Sequence, residues 1–589
     1  MPRPLSTIQK TLTLQLYNKG ILALLTVIGL PFLVACSQND TRSDTSYSNE
    51  KTTPTKVSSH SYVEELLKAE FILQRKGPNE AFEPFYELAS KSKNTDLIER
   101  LVHIAIATQN DTYVERSTNL WLSIEPASEP AYSLKFQVLI KTKRPEESAT
   151  LLTNAARHNV PLRFLPVYLE DNLNNNEHLE TIADTIATLP PETKSDQYVQ
   201  LSNAHLLLLS GQYQAAIETS KQLLAKNSTE KNEALYLILA LSQKNLGALE
   251  NAINTLTMAS QTLPDNTRIL TPLLNFLVEN KQVAQAKEAY QKANLDTSDR
   301  LQVAVNFMRV LLEYKHPKQT LDVSNTLPEE KLGFLDQIQY LTAIALAQLD
   351  KKLEARVTMG KVDGHLRNNA THKIAIWLYD EGKENDVNDL VLTRTLREDM
   401  PEQVSFISLL HEEKGNLNLS YDLVFRAGEA LPESDLLRYK KALLAETLGN
   451  WKITEIELKK LLQKDPDNPQ YLNALGYTLL TRTKRIDEAM IYIESAYEKT
   501  ENDPAITDSL GWGHFMKGEL EQASYFLKKA WSILPDAEIA AHYGESLWKQ
   551  RHYNEAIEIW KTALITSPNS PLLLDTIKRL SPSLLEAKQ

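Results

Sequence analysis

From residue 62 onward, apolar residues recur three and four positions apart, the spacing of one buried face of an α-helix. In 62–76 these are Val63, Leu66, Leu67, Phe71 and Leu73, and Gly77-Pro78 closes the segment. Segments 81–92, 96–109, 111–123 and 131–141 carry the same pattern, and further helix pairs follow to about residue 190. Only 17 glycines occur among 589 residues, while Ala, Leu, Glu, Lys and Gln are plentiful, a composition that favours helix. A chain this long exceeds one compact core, so repeats or several domains are expected.

A period of about 34 residues emerges further on. Small residues fall at repeat positions 8, 20 and 27, large apolar ones at 7, 11 and 24, Gly near 15 and Pro at 32. Segment 233–266 supplies Ala240, Gly247, Ala252, Leu256, Ala259 and Pro264 at positions 8, 15, 20, 24, 27 and 32. Segment 504–536 supplies Leu510, Gly511, Gly518, Ala523, Leu527, Ala530 and Pro535; segment 537–570 supplies Tyr543, Gly544, Leu547, Ala556, Trp560, Ala563 and Pro568. Segment 469–503 fits with one extra residue near Lys484-Arg485. Small side chains at 8 and 20 let the two helices of a unit cross closely, and a proline past the second helix stops it.

This pattern resembles the tetratricopeptide repeat (TPR). The resemblance implies an all-α, right-handed superhelical solenoid of TPR and TPR-like helix pairs, with roughly eight to eleven units between residues 60 and 570. Weaker units lie near 196–231, 267–296, 336–369, 370–400, 401–434 and 435–468, and the first third admits a helical solenoid of another type. Segment 572–580 reads as a terminal helix covering the last seam, as solenoid ends require.

Two stretches at the start depart from the helical pattern. Residues 21–35 are continuously apolar after a lightly basic beginning (Arg3, Lys10, Lys19), and end in Leu33-Val34-Ala35-Cys36. This is the layout of a signal peptide, too short for a span of about 20 residues. Leu at −3, a small residue at −1 and Cys at +1 resemble the lipobox of bacterial lipoproteins. The resemblance implies cleavage before Cys36 and acylation of its thiol, and Ser37 at +2 implies the outer membrane. Residues 37–60 are rich in Ser, Thr, Asn and Asp and read as a disordered tether with a random-coil reach of about 25–30 Å. The expected organisation is a leader at 1–35, a lipidated tether at 36–60, a TPR-like region at 61–195, a central solenoid at 196–434, well-matched units at 435–570, and a capping helix and tail at 571–589.

The formal charge is −12, and loss of the three basic residues of the leader brings the mature chain near −15. Such acidity argues against nucleic acid, and acyl chains rather than a basic face would hold the chain on a membrane. Acidic pairs such as Glu64-Glu65, Glu146-Glu147, Glu329-Glu330 and Glu412-Glu413 read as solvated faces or first-turn acids. Cys36 is the only cysteine, so there is no disulfide framework and no Cys/His zinc cluster. No phosphate loop, H-E-x-x-H or G-x-S-x-G string occurs. His542 with His552, and His365 with His372, lack further ligands at metal spacing and read as packed or solvated side chains. No catalytic residue, metal, cofactor or small-molecule substrate is expected.

In a TPR, positions 2, 5, 9, 12 and 13 of the first helix face the concave groove. The C-terminal units place Asn473, Tyr477, Asp508, Trp512, Phe515, Met516, Trp548 and Lys549 there. Rigid aromatics, a methionine and a few polar groups suit a partner-binding groove. The alternative is that Trp512 and Trp548 fill the seam between neighbouring helices. The Lys/Asn carboxylate clamp of chaperone-binding TPRs is missing at these positions, so capture of an acidic C-terminal tail is not expected.

The strings Asn473-Ala474-Leu475-Gly476-Tyr477, Asp503-Pro504-Ala505-Ile506-Thr507-Asp508-Ser509-Leu510-Gly511-Trp512 and Ala540-Ala541-His542-Tyr543-Gly544-Glu545-Ser546-Leu547-Trp548, with the lipobox and the segment Ala69-Glu70 to Ala81-Phe82-Glu83-Pro84, resemble the large TPR outer-membrane lipoproteins of Gram-negative bacteria. The resemblance implies an adaptor that brings a periplasmic carboxyl-terminal processing protease together with peptidoglycan hydrolases. An assembly factor, pilotin-like or regulating a cell-wall synthase, is the competing reading.

Overall fold

The computed structural model describes residues 59–226, 232–328 and 333–586. Cys36, the leader and the tether up to residue 58 lie outside them. The fold is all-α: among the described residues there is no strand. No described helix is long and apolar enough to cross a membrane. The described residues divide into two compact units, the first reaching residue 328 and the second beginning at Gly333, a division that falls within the expected central span.

The first unit opens with Ser59–Lys76 and Pro78–Ser92. Gly77 between them has φ 93°, a region a side chain would strain, and Pro78 occupies the first helical position, where its missing N–H costs nothing. Phe82 and Phe85 are fully buried, and Phe82 stacks on Tyr113 at 4.0 Å. A second cluster surrounds Phe136, whose edge meets Phe164 and Tyr168. Helices continue in pairs to Pro317–Asn325.

The second unit shows the repeat most regularly. Its C-terminal pairs are Asp435–Thr447 with Trp451–Lys464, Pro469–Arg482 with Ile486–Lys499, Pro504–Lys517 with Leu520–Ile533, and Ala537–Lys549 with Tyr553–Thr566. In each pair the first is helix A and the second helix B. Asn468, Asp503 and Asp536 accept hydrogen bonds from first-turn N–H groups and so start three helices A. Helix Pro571–Leu580 closes the array by burying Leu573 and Ile577 against Ala537–Lys549 and its neighbours.

The expected small positions are the points of closest approach. Ala489, Ala523 and Ala556 at position 20, and Ala496, Ala530 and Ala563 at 27, are at most 1% exposed. Position 8 is tighter still. A Cβ on Gly511 would lie 2.7 Å from Leu527 Cγ, and one on Gly544 would lie 2.1 Å from Trp560 Nε1. Trp560 fills position 24 with no exposed surface, and its indole N–H has no hydrogen-bond partner among the described residues. The glycine thus makes room for the tryptophan, and the pair sets the helix crossing.

The A-to-B turn of the last two units is made with a left-handed residue. Gly518 supplies it at φ 84°, while the next unit uses Arg551 at φ 70°. Gly544→Ala should destabilise the C-terminal repeats by about 1–3 kcal/mol through overpacking against Trp560. Arg551→Gly should stabilise them by up to about 1 kcal/mol by relieving the left-handed strain. Urea unfolding followed by tryptophan fluorescence measures both; equal midpoints for Gly544→Ala and wild type would show that the contact is not close.

Candidate partner-binding face of the C-terminal repeats

Three successive helices A, Pro469–Arg482, Pro504–Lys517 and Ala537–Lys549, bring one polar and aromatic cluster together. Tyr477 Oη donates to Glu538 Oε1 at 2.8 Å, joining residues 61 positions apart. His542 Nδ1 donates to Asp508 Oδ2 at 2.8 Å, which places the ring proton on Nδ1 or makes the ring an imidazolium. The Trp512 ring stacks on His542 at 4.1 Å and on Phe515 at 4.6 Å. The cluster therefore sits at repeat positions 2, 5, 6, 9 and 12.

Sequence-predicted residues divide between this cluster and the surface beside it. Asp508 is buried, and its second oxygen, Oδ1, has no partner among the described residues. Asn473 is half-buried with Oδ1 likewise enclosed and unpartnered. Tyr477, Trp512 and Phe515 are half-buried within the cluster. Trp548 is half-buried, edge-on to Tyr553 at 4.6 Å and tilted against Trp560 at 5.6 Å. Met516 is 42% exposed, and Lys549 is exposed. Trp512 and Trp548 thus take part in the packing between helices and still keep partial exposure.

Glu538 and His542 were not singled out as groove residues. Glu538 stands at position 2, a groove position by the repeat rule, and that was the signal available for it. His542, at position 6, was read only against His552, but the two histidines serve different carboxylates: His542 pairs with Asp508 and His552 with Glu555. His372 is buried and stacks on Phe406. Among the described residues no three His, Cys, Asp or Glu side chains are grouped to hold a metal.

The cluster shifts the acidity of its members. Enclosure of the Glu538 carboxyl pushes its pKa up to about 7, partly opposed by His542, although the residue as a whole keeps some exposure. Burial would lower the pKa of His542, but the Asp508 carboxylate against its ring, helped by Glu538, outweighs this and raises it. Burial raises Tyr477, and Glu538 and Asp508 add to the effect. The cluster thus holds protons more tightly than the unfolded chain does.

No family model matches the chain. A TPR repeat-containing protein of Pseudomonas aeruginosa is 42% identical over 114 residues, which are 19% of this chain and 19% of that protein. This chain's match therefore spans about a fifth of that relative's length. Among solved structures, a thermophilic TPR protein of Thermus thermophilus is 19% identical, covering 31% of this chain and 99% of that one, with a TM-score of 0.29. The Naa15/Naa10 complex bound to HypK is 13% identical, covering 84% and 97%, also with a TM-score of 0.29. The paired helices and their close contacts at positions 8, 20 and 27 define the class of fold: an all-α solenoid of TPR-type helix pairs, similar over 114 residues to the Pseudomonas TPR repeat-containing protein.

Both raised pKa values act in one direction on stability. Between about pH 4.5 and 7, native Glu538 keeps a proton that the unfolded chain releases, and His542 acts likewise above its ordinary value near 6.5. Their stabilisation is present in acid and is lost as pH rises. The urea midpoint of the C-terminal repeats should fall between pH 5 and pH 8, and Glu538→Gln should flatten that fall. An unchanged slope in the variant would remove Glu538 as its source.

Proposed function

We propose that the chain is a non-catalytic scaffold for proteins, anchored through acylated Cys36 to the periplasmic face of the outer membrane. Its role is that of an adaptor: it brings a periplasmic carboxyl-terminal processing protease together with peptidoglycan hydrolase substrates. The observation that carries the scaffold reading is the tie across helices A of three successive repeats, Tyr477–Glu538 and Asp508–His542. The tie leaves Met516 and Lys549 open to solvent, beside half-buried Phe515 and Trp548. A surface organised before binding loses less entropy on association. The lipobox and the family resemblance of the 473–548 strings support the anchor and the partners. An adaptor of this kind works by raising the effective concentration of substrate at the protease.

Affinity capture of the full chain from detergent-solubilised membranes tests the partners. Recovery of a PDZ-containing protease with a cell-wall hydrolase is expected; a secretin or pilus component in their place would favour an assembly factor. For the surface, Met516→Ala with Lys549→Ala should weaken partner binding several-fold without changing the urea midpoint, since neither residue belongs to the buried cluster. Trp512→Ala should lower stability as well, because Trp512 is held between His542 and Phe515. For the anchor, Cys36→Ser should move the protein from the membrane pellet to the soluble fraction, and continued pelleting would assign attachment to another part of the chain.

A further inference from the structure

In the first unit, one helix turns a whole face away from its neighbours. Helix Asn176–Thr188 is followed by Pro190, a short helical turn at Pro191–Lys194 and then Gln197–Leu209. Leu179, Ala183 and Ala187, each four apart on the first helix, face Asn203, Leu206 and Leu207 of the second across a cleft of about 680 Å³. Ala183 and Ala187 are exposed there, although their spacing is that of a packed face. Helix Tyr213–Lys226 contributes Thr219 and Gln222 to the third side.

The polar groups of the cleft are mostly of one kind. Gln200, Asn203 and Gln222 present carboxamides that have no hydrogen-bond partner among the described residues. A carboxamide offers one acceptor and a donor side by side, matching the C=O and N–H of a peptide unit. The wall is about 11 helical residues long, about 17 Å, and takes about five residues of extended chain. The apolar residues between the amides can receive alternate side chains of such a strand. No aromatic ring lines the cleft, so it offers no stacking platform for a nucleobase. Lys194, whose ammonium donates to the Ala187 carbonyl at 2.6 Å, is the one cation among the lining residues, and a single positive charge is too few for a polyanion. Glu180, on the wall, has no cationic partner among the described residues.

We propose that this cleft is a second binding site, distinct from the C-terminal face, for an extended peptide segment with small or aliphatic side chains and one Lys or Arg set against Glu180. The carboxamides hold the backbone, the floor takes the apolar side chains, and Glu180 fixes the register. The site is independent of the adaptor reading and stands whether or not the C-terminal face binds a protease.

Random heptapeptides displayed on phage, selected against the full chain, test it. Enriched peptides should carry apolar residues at alternate positions and one basic residue, and they should bind in fluorescence anisotropy. Ala183→Trp, which fills the cleft from an exposed position, should lower their affinity at least about tenfold. Asn203→Ala, which removes a carboxamide without adding bulk, should lower it several-fold with circular dichroism unchanged. Glu180→Gln should weaken only the peptides bearing Lys or Arg. The proposal is overturned if no peptide is enriched over an unrelated helical solenoid, if the selected peptides ignore Ala183→Trp and Asn203→Ala, or if they become helical on binding. Peptides that respond only to Met516→Ala and Lys549→Ala would place binding at the C-terminal face and overturn the cleft as well.

Discussion

The close crossing of helix A over helix B at repeat position 8 is the constraint on which the C-terminal repeats depend. Gly476, Gly511 and Gly544 each sit so close to the facing helix that a single methyl group would overlap Ile493, Leu527 and Trp560 respectively. Burial of those three large side chains contributes of order 2–3 kcal/mol each. It is available only because the facing position carries no side chain. Shape complementarity of this kind fixes one crossing geometry. That geometry is inherited by each following unit, because each helix A also packs on the preceding helix B, as Gly513 does against Met490.

Solenoids are held mainly by contacts between neighbouring repeats. The Tyr477–Glu538 hydrogen bond departs from this rule by joining the first helices of two units that have a third between them. The intervening unit enters the same cluster through Asp508 and Trp512. Buried polar groups add little net stability, because desolvation offsets most of their attraction. Losing one member, however, strands its partners without water, at a cost of about 1–3 kcal/mol per group. The cluster therefore works chiefly to keep three helices in one arrangement. The orphaned oxygens of Asp508 and Asn473 show that satisfaction is incomplete among the described residues.

Most of the architecture was legible in the sequence because close packing repeats with a period. Alanine at positions 20 and 27 and a small residue, glycine or alanine, at 8 follow from geometry that recurs from unit to unit, so 233–266 and 469–570 could be read directly. The Asp508–His542 pair was not legible. A periodic template rewards residues that recur, whereas Glu538 and His542 have no counterparts at positions 2 and 6 of the preceding unit, where Ala505 and Ser509 stand. Trp512 illustrates the same limit: helical spacing placed it on helix A, but only the structure shows its ring stacked on His542 and on Phe515.

The irregular part of the chain reverses this relation. Near residue 190, Leu189-Pro190-Pro191 interrupts helix-to-helix succession, and the repeat pattern is weakest there. A regular unit would have closed its seam with small residues at 20 and 27. Here the seam stays open, and three of the side chains lining it, Gln200, Asn203 and Gln222, have no hydrogen-bond partner among the described residues. Regularity thus produces closed seams, so that recognition in the C-terminal repeats is confined to what emerges at the helix surfaces, such as Met516 and Lys549. Loss of regularity produces concave space between helices. The two kinds of surface follow from one packing rule, kept at one end of the chain and broken near the other.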